Sequence, residues 1–533
     1  MDIKDSDQTT KKYFDIHAPV FYPSAIIIIL FISLTLFIGK PMENIFANIQ
    51  SGITSNFGWL FVLAVNVFLA FAIYFSVSKL GKIRLGGKDA KPEFSTFAWF
   101  SMLFSAGLGI GLLFYGVGEP MMHFSNDVIN AEPLTPEAAN KAMKYTFLHY
   151  GFHAWAVYAV LGLALAFFTF NRGLPLTLSS VFYPLLGERI YGWIGHVINV
   201  VAVVATLFGL ATTLGLGVQQ VSAGLNYLIG TADTIWMQVI LIAVITGGAT
   251  VSVVLGLDKG VRVLSEWNMK LALAFLALML LIGPTIFLLD AFLQNVGNYF
   301  QEMIALGAFT EVYKGTEWQH DWTIFYWSWW VAWSPFVAMF IARVSKGRTV
   351  REFFMGVMIV PSFLTFLWMT VFGGSGMFLE LNEIAVISDA VNENIATALF
   401  VMLEEYPFSV FTSIIGIVLV TSFFITSSDS GSLVIDSITA GGKLDAPVGQ
   451  RIFWAVTEGA VAATLLLGGG LKALQTASII SGLPFVIILL VMCYSLYLGL
   501  KEEQAEIETR ERKKERASYQ EILSDLIEKR KAK

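Results

Sequence analysis

Apolar positions along this chain do not alternate with polar ones. They run together in blocks of about twenty, near 21–39, 57–78, 94–118, 145–170, 192–212, 235–257, 267–289, 322–343, 354–378, 408–432, 451–468 and 478–498. A helix rises about 1.5 Å per residue, so about twenty apolar residues cross the roughly 30 Å hydrocarbon layer of a bilayer. The pattern predicts an all-α polytopic membrane protein with twelve transmembrane helices. The 192–230 region is the least regular, because it tails into the polar run Gly215-Leu216-Gly217-Val218-Gln219-Gln220. Residues 290–310 alternate at helical spacing and read as a helix lying in the membrane interface. Polar residues fill positions 1–19 and no small-residue cleavage pattern follows the first block, which therefore reads as a retained anchor. Beyond Gly499 the chain turns to Lys/Arg/Glu-rich helix-former sequence, with Arg510, Arg512, Lys513, Lys514 and Arg516. That segment reads as a solvated cytoplasmic helix; the alternative is a basic helix that touches anionic lipid.

Composition agrees: 56% of the 533 residues are hydrophobic and only 14% charged, with a mean hydropathy of +0.68. A net charge of −6 gives no support to nucleic-acid binding. The single cysteine, Cys493, excludes an intrachain disulfide. Six histidines, one cysteine and no metal or nucleophile motif argue against a membrane enzyme. Basic residues crowd alternate loops: Lys79, Lys82, Arg84, Lys88 and Lys91; Lys259 and Arg262; Arg343, Lys346, Arg348 and Arg351. The opposite loop 379–407 carries Glu380, Glu383, Asp389, Glu393, Glu404 and Glu405 without Lys or Arg. The positive-inside rule then places both termini in the cytoplasm.

Two interruptions stand out within the blocks. Ser105-Ala106-Gly107-Leu108-Gly109-Ile110-Gly111 sets three glycines at alternate positions. Each costs a helix about 1 kcal/mol relative to alanine, so unwinding is expected. The alternative is a close helix crossing, which Gly107 and Gly111 alone satisfy. The second interruption, Ser334-Pro335, falls five helices later. Matching interruptions in two halves point to an inverted repeat with a binding site at the repeat interface, here helices three to seven against eight to twelve.

Aromatic rings collect around these points. Tyr150, Trp155 and Tyr158 are spaced to share one broad helix face, and Trp327, Trp330 and Trp333 follow at i, i+3. Such stripes also serve helix packing or an interfacial belt, but these continue into the spans. A cage of rings attracts a methylated ammonium at about 2 kcal/mol or more per desolvated contact, and it does so without a buried carboxylate, which is costly in a membrane. These faces carry no acidic residue, which suits a zwitterion whose negative end meets backbone N–H groups of the glycine stretch, Gly107, Gly109 and Gly111. Farther on, Phe423-Phe424-Ile425-Thr426-Ser427-Ser428-Asp429-Ser430 offers adjacent hydroxyls as neutral oxygen ligands for a monovalent cation. The alternative is hydroxyls bonded back to their own helix.

Taken together, Pro92-Glu93-Phe94-Ser95-Thr96, Ala106 through Gly111, Tyr115-Gly116 with Glu119-Pro120, Asn171-Arg172-Gly173-Leu174-Pro175, Trp327 through Phe336 and Thr426-Ser427-Ser428-Asp429 resemble the betaine/choline/carnitine transporters, over roughly residues 15 to 500. The resemblance implies the five-plus-five inverted repeat of leucine-transporter-like proteins, preceded by two extra helices, in a homotrimer. It implies an aromatic box at Tyr150, Trp155, Tyr158 and Trp330, with Trp333 lining the pathway beneath it and Trp329 packed nearby. It also implies one sodium site at Thr426 and Ser427 with carbonyls near Ser105, Leu108 and Phe423, and a second at Thr206 with the ring of Phe336. Two positions depart from the family pattern: Tyr150 stands where a tryptophan is usual, and Leu210 lacks the hydroxyl expected one turn after Thr206. Gly111 stands where choline carriers tend to carry an aspartate, which favours a zwitterion.

The organisation expected is a cytoplasmic tail (1–20), two extra helices (21–80), a first repeat (81–289), an interfacial helix and loop (290–321), a second repeat (322–500) and a charged cytoplasmic helix (501–533). The function expected is sodium symport of a methylated-ammonium osmolyte, glycine betaine or trimethylamine N-oxide, by alternating access and without a cofactor. The alternatives are sodium-independent exchange of carnitine- or betaine-type solutes, proton-coupled choline uptake, and an osmotic sensor or channel.

Overall fold

In a computed structural model, which describes residues 14–107, 109–126, 131–255, 261–313, 317–443 and 447–531, the chain is all helix. Apart from one isolated bridge between Arg84 and Thr349, no β pairing occurs among the described residues. Among the described residues ten helical spans are long and apolar enough to cross a membrane, which makes this a multi-pass membrane protein. The expected broken helix is not one of these ten and forms two shorter pieces, α3 (Thr96–Gly107) and α4 (Ile110–Ser125).

The helices sort by how much of each faces neighbouring protein. Outer ones are α1 (Ala18–Ile38), α8 (Ile235–Leu255) and α9 (Val261–Ile282), whose apolar windows are 28%, 33% and 28% buried. Their exposed side chains, such as Ile26, Ile27 and Ile29 on α1, are what lipid chains accept. Central ones are the pair α5 (Pro136–Tyr150) and α6 (Phe152–Phe170), 94% buried together, and α11 (Phe325–Val344) with its leading turn, 83% buried. Against α11 pack α6, α7 (Trp193–Ile229) and α14 (Val448–Lys531), and α12 (Val350–Leu381) packs against α4 and α6. Also in this body are α2 (Met42–Val77), α10 (Thr285–Gly307) and α13 (Ser409–Thr439).

Three elements depart from the sequence expectation. First, the apolar block at 145–170 is two helices, not one. At Gly151 (φ −96°, ψ −142°) the chain turns, and a β-carbon there would stand 2.4 Å from the Phe147 carbonyl oxygen and 2.7 Å from the Phe366 ring. Tyr150 therefore ends α5 while Trp155 and Tyr158 lie on α6, so the shared face argued from one continuous helix does not apply.

Second, α11 runs unbroken through Pro335. Proline removes the N–H that would bond to the carbonyl four residues back, and Ser334 supplies the replacement: its Oγ donates to the Val331 carbonyl at 2.8 Å. The irregularity in this segment is a π turn, His320–Ile324, ahead of the helix. The matched pair of interruptions expected from the sequence thus reduces to one.

Third, α14 bends at Gly469–Gly470, where Gly470 has φ +59°, and then continues without a stop past Gly499 into the charged segment. The spans expected at 451–468 and 478–498 lie on either side of this bend.

Candidate functional site

The break between α3 and α4 leaves Gly109 extended (φ −174°, ψ −177°) as the N-cap of α4. Opposite it, α11 presents three tryptophans and α6 two aromatic rings. Between them lies a cavity. Its wall takes Gly109, Gly111 and Leu112 from the break, Tyr150 from α5, Ala154, Trp155 and Tyr158 from α6, Thr213 from α7, Trp329, Trp330 and Trp333 from α11, and Thr365 from α12.

Eight of the residues expected at a solute site therefore meet at one cavity: Tyr150, Trp155, Tyr158, Trp329, Trp330, Trp333, Gly109 and Gly111. Gly107 ends α3. Trp327, the first of the i, i+3 stripe, is not among the lining residues and packs against His153 and His149 at ring separations of 5.9 and 5.8 Å. Six residues turn a helix by about 240°, so Trp327 and Trp333 face different ways, whereas Trp329 and Trp333, one turn apart, share the cavity.

The rings form walls rather than a stack. Tyr150 meets Trp330 at 5.4 Å and 72°, Trp155 meets Tyr158 at 5.3 Å and 72°, and Tyr158 meets Trp330 at 6.3 Å and 73°. Trp329 lies flat against Trp330 at 4.6 Å and 16°. Hydrogen bonds lock several of them. Trp330 Nε1 donates to the His149 carbonyl at 2.8 Å, Trp329 Nε1 to Thr213 Oγ1 at 3.1 Å, and the Tyr150 hydroxyl to the Gly111 carbonyl at 3.2 Å. Two polar groups of the wall have no partner: the Tyr158 hydroxyl and the Trp333 indole N–H are buried and unbonded. A buried donor left unsatisfied is costly, so both are positioned to serve something that enters.

One expectation is corrected here. No acidic residue lies on the aromatic faces, yet a carboxylate stands directly behind them. Glu119 on α4 is fully buried and accepts a hydrogen bond from the Tyr326 hydroxyl; the Tyr150 hydroxyl, whose single proton is offered to both the Gly111 carbonyl and the Tyr326 oxygen, lies 3.3 Å from the latter. The other Glu119 oxygen is 2.6 Å from His149 Nδ1 and 3.4 Å from His123 Nε2. The ligand atoms of Glu119, His123 and His149 fall within 4.8 Å of one another, a spacing that a metal ion could use but that hydrogen bonds already occupy. The sequence reading missed this group, together with Tyr326, Thr213 and Thr365. The signal was present in Glu119-Pro120 and in His149 beside Tyr150, but nothing in one sequence joins α4 to α11.

Of the residues expected to hold sodium, Thr426, Ser427, Ser105, Phe423, Thr206 and Phe336 are not among those lining the cavity. Thr426 Oγ1 donates back to the carbonyls of Ser422 at 3.1 Å and Phe423 at 3.2 Å, and accepts from Asn268 Nδ2 at 3.3 Å. Ser427 and Ser105 are half-buried, and Leu108 lies outside the described residues. Thr206 is buried with its hydroxyl bonded to the Ala202 carbonyl at 2.7 Å. Phe336, on the neighbouring α11, has its ring 5.3 Å from Trp333.

Comparison with known proteins bears on what this cavity takes. The family signature described as BCCT, betaine/carnitine/choline family transporter, matches residues 19–505. A glycine betaine/proline/choline transporter of Vibrio parahaemolyticus is 48% identical over 505 residues, 92% of this chain and 91% of that protein. Glycine betaine transporter 1 of the same organism is 47% identical over 507 residues, 93% and 96% of the two chains. Glycine betaine transporter OpuD of Bacillus subtilis is 42% identical over 473 residues, 88% and 92%.

Proposed function

This chain belongs to the betaine/carnitine/choline transporter family, which makes it a membrane transporter and not an enzyme, and from that premise we propose that it imports a methylated-ammonium osmolyte, glycine betaine first, by sodium symport. The observation that carries the solute assignment is the cage: Tyr150, Trp155, Tyr158 and Trp330 wall one cavity at near-perpendicular angles. Each desolvated ring face contributes about 2 kcal/mol to holding a quaternary ammonium. The unpartnered Tyr158 hydroxyl and Trp333 N–H supply donors for the carboxylate of a zwitterion, alongside the extended backbone at Gly109. Trimethylamine N-oxide, which has an oxygen at the same end, is the second solute of this class.

Sodium coupling rests on Thr426 and Ser427, hydroxyls adjacent on α13, with Ser105, Leu108 and Phe423 completing the first site and Thr206 with Phe336 the second. Sodium binding orders the broken α3–α4 segment and completes the cage; rocking of the two repeats then exposes it to either side. Each sodium ion crossing about 100 mV contributes roughly 2.3 kcal/mol, against roughly 1.4 kcal/mol for each tenfold of accumulation. Homotrimeric assembly in a bacterial inner membrane, with both termini cytoplasmic, belongs to the same proposal.

A second reading is uptake of choline, a net cation. The buried Glu119 behind the cage favours it, and one Vibrio relative carries choline in its name. Uptake by proteoliposomes with and without an inward sodium gradient, competed by trimethylamine N-oxide, choline and carnitine, separates the two readings. Gradient-independent exchange would overturn the sodium assignment.

A further inference from the structure

Behind the cage, a buried carboxylate has two imidazoles and a phenol around it, and among the described residues no Lys or Arg pairs with it. Glu119 Oε2 accepts from the Tyr326 hydroxyl; Oε1 faces His149 Nδ1 at 2.6 Å and His123 Nε2 at 3.4 Å. The protons on the two imidazoles can be placed. Trp318 Nε1, which can only donate, points at His123 Nδ1 from 3.3 Å, so that nitrogen is an acceptor and the His123 proton sits on Nε2, facing Glu119. His149 Nε2 lies 3.0 Å from the Thr323 hydroxyl, which donates to it and leaves the His149 proton on Nδ1, also facing Glu119. The Tyr326 hydroxyl and the His149 imidazole thus bond the carboxylate, while His123 Nε2 faces it from 3.4 Å without completing a hydrogen bond. Burial works against a charge there and the donors work for it. The other titratable groups around the cluster are Tyr115, 5.4 Å from the Tyr326 ring, Tyr150, Tyr145, 6.5 Å from His123, and His153, which shares the Trp327 ring with His149.

We propose that Glu119 is the counter-charge of the cage, acting on the solute's ammonium through Tyr326 and Tyr150 and making the site select for positive charge rather than for shape alone. This inference rests on the proposed function. A buried carboxylate without a fixed positive charge beside it is costly, and the Tyr150 hydroxyl on the cavity wall lies 3.3 Å from the Tyr326 hydroxyl that bonds it. A cation in the cage supplies the missing partner without touching the acid. Contact is prevented because the rings of Tyr150 and Tyr326, 5.3 Å apart, stand between. The arrangement keeps the quaternary nitrogen on aromatic faces, where it exchanges readily, and leaves the acid to set the preference for charge. The aromatic walls alone would accept a tert-butyl group of the same shape.

The test compares choline with its uncharged carbon isostere, 3,3-dimethylbutan-1-ol, for binding to the purified full-length chain, read by tryptophan fluorescence. Glu119→Gln is expected to weaken choline about tenfold, as removal of a charge acting across a medium of effective dielectric about 20 would, while the isostere stays within about twofold. Glu119→Asp keeps the charge one methylene farther back. It is expected to give an intermediate cation-to-isostere ratio, and it carries the test if the Gln variant does not fold. Equal losses for both compounds in either variant would make Glu119 a packing residue and overturn the inference, as would no loss for either. Wild-type protein that binds no trimethylammonium compound overturns the proposed function and this inference with it; wild-type binding with equal losses overturns the inference alone.

Discussion

Trp329 lies directly over Gly111: a β-carbon on that glycine would stand 2.9 Å from the tip of the indole ring and 3.7 Å from the Tyr150 hydroxyl. The bare backbone at this position therefore lets the broken α3–α4 segment approach α11 and makes the two into one wall. Gly111→Ala is expected to push the ring into the cavity and lower solute affinity at least tenfold, with the protein still inserted in the membrane. Equilibrium binding of glycine betaine to the purified variant checks this, and unchanged affinity would show that the wall has room to move.

Removing a ring from the cage should cost binding rather than folding. Trp155 and Trp330 are only 4% and 6% exposed, so their faces are already free of water. Trp330→Ala or Trp155→Ala removes about 2 kcal/mol of cation–π attraction, which is roughly thirtyfold in affinity. Radioligand binding beside a membrane-insertion assay reads both quantities. Full affinity in either variant would take that ring out of the account.

The rings of the cage were legible in the sequence through the family resemblance and not through helical spacing, because Tyr150 lies on a separate helix from Trp155 and Tyr158 and Trp327 does not line the cavity. What was not legible depended on contacts across helices. The expected break at Pro335 is absent because the Ser334 hydroxyl bonds to Val331 in place of the lost N–H, a rescue that composition does not announce. The turn at Gly151 escaped notice because the apolar block continues through it. Glu119 looked like part of a short motif, and only the fold places it behind Tyr326.

On the sodium side, Thr426→Ala is expected to raise the sodium concentration for half-maximal uptake about tenfold, since the hydroxyl offered to the ion is lost and nothing replaces it. Uptake measured against sodium at fixed solute decides it. An unshifted sodium dependence would leave Thr426 with the structural role its bonds to Ser422 and Phe423 already describe.

The charged end of α14 meets the body through ion pairs of graded exposure: Lys88 with Glu511 at 3.0 Å in the open, and the half-buried Arg172 with Glu506 at 3.0 Å and with the buried Glu503 at 3.6 Å. Such pairs contribute little each and weaken with salt over a screening length of about 10 Å at 0.1 M. A helix held this way suits a sensor of internal ionic strength. Deletion of residues 501–533 is expected to abolish activation of uptake by high osmolality while leaving solute affinity in place. Activation that survives the deletion would remove the helix from regulation.

The central claim, a sodium-driven carrier of a methylated-ammonium solute, is tested most directly by uptake of radiolabelled glycine betaine into proteoliposomes of the purified chain. Accumulation above the outside concentration with an inward sodium gradient, lost when the gradient is dissipated and suppressed by trimethylamine N-oxide, is the result expected. Uptake that ignores the gradient, or that none of the trimethylammonium compounds competes for, would contradict it.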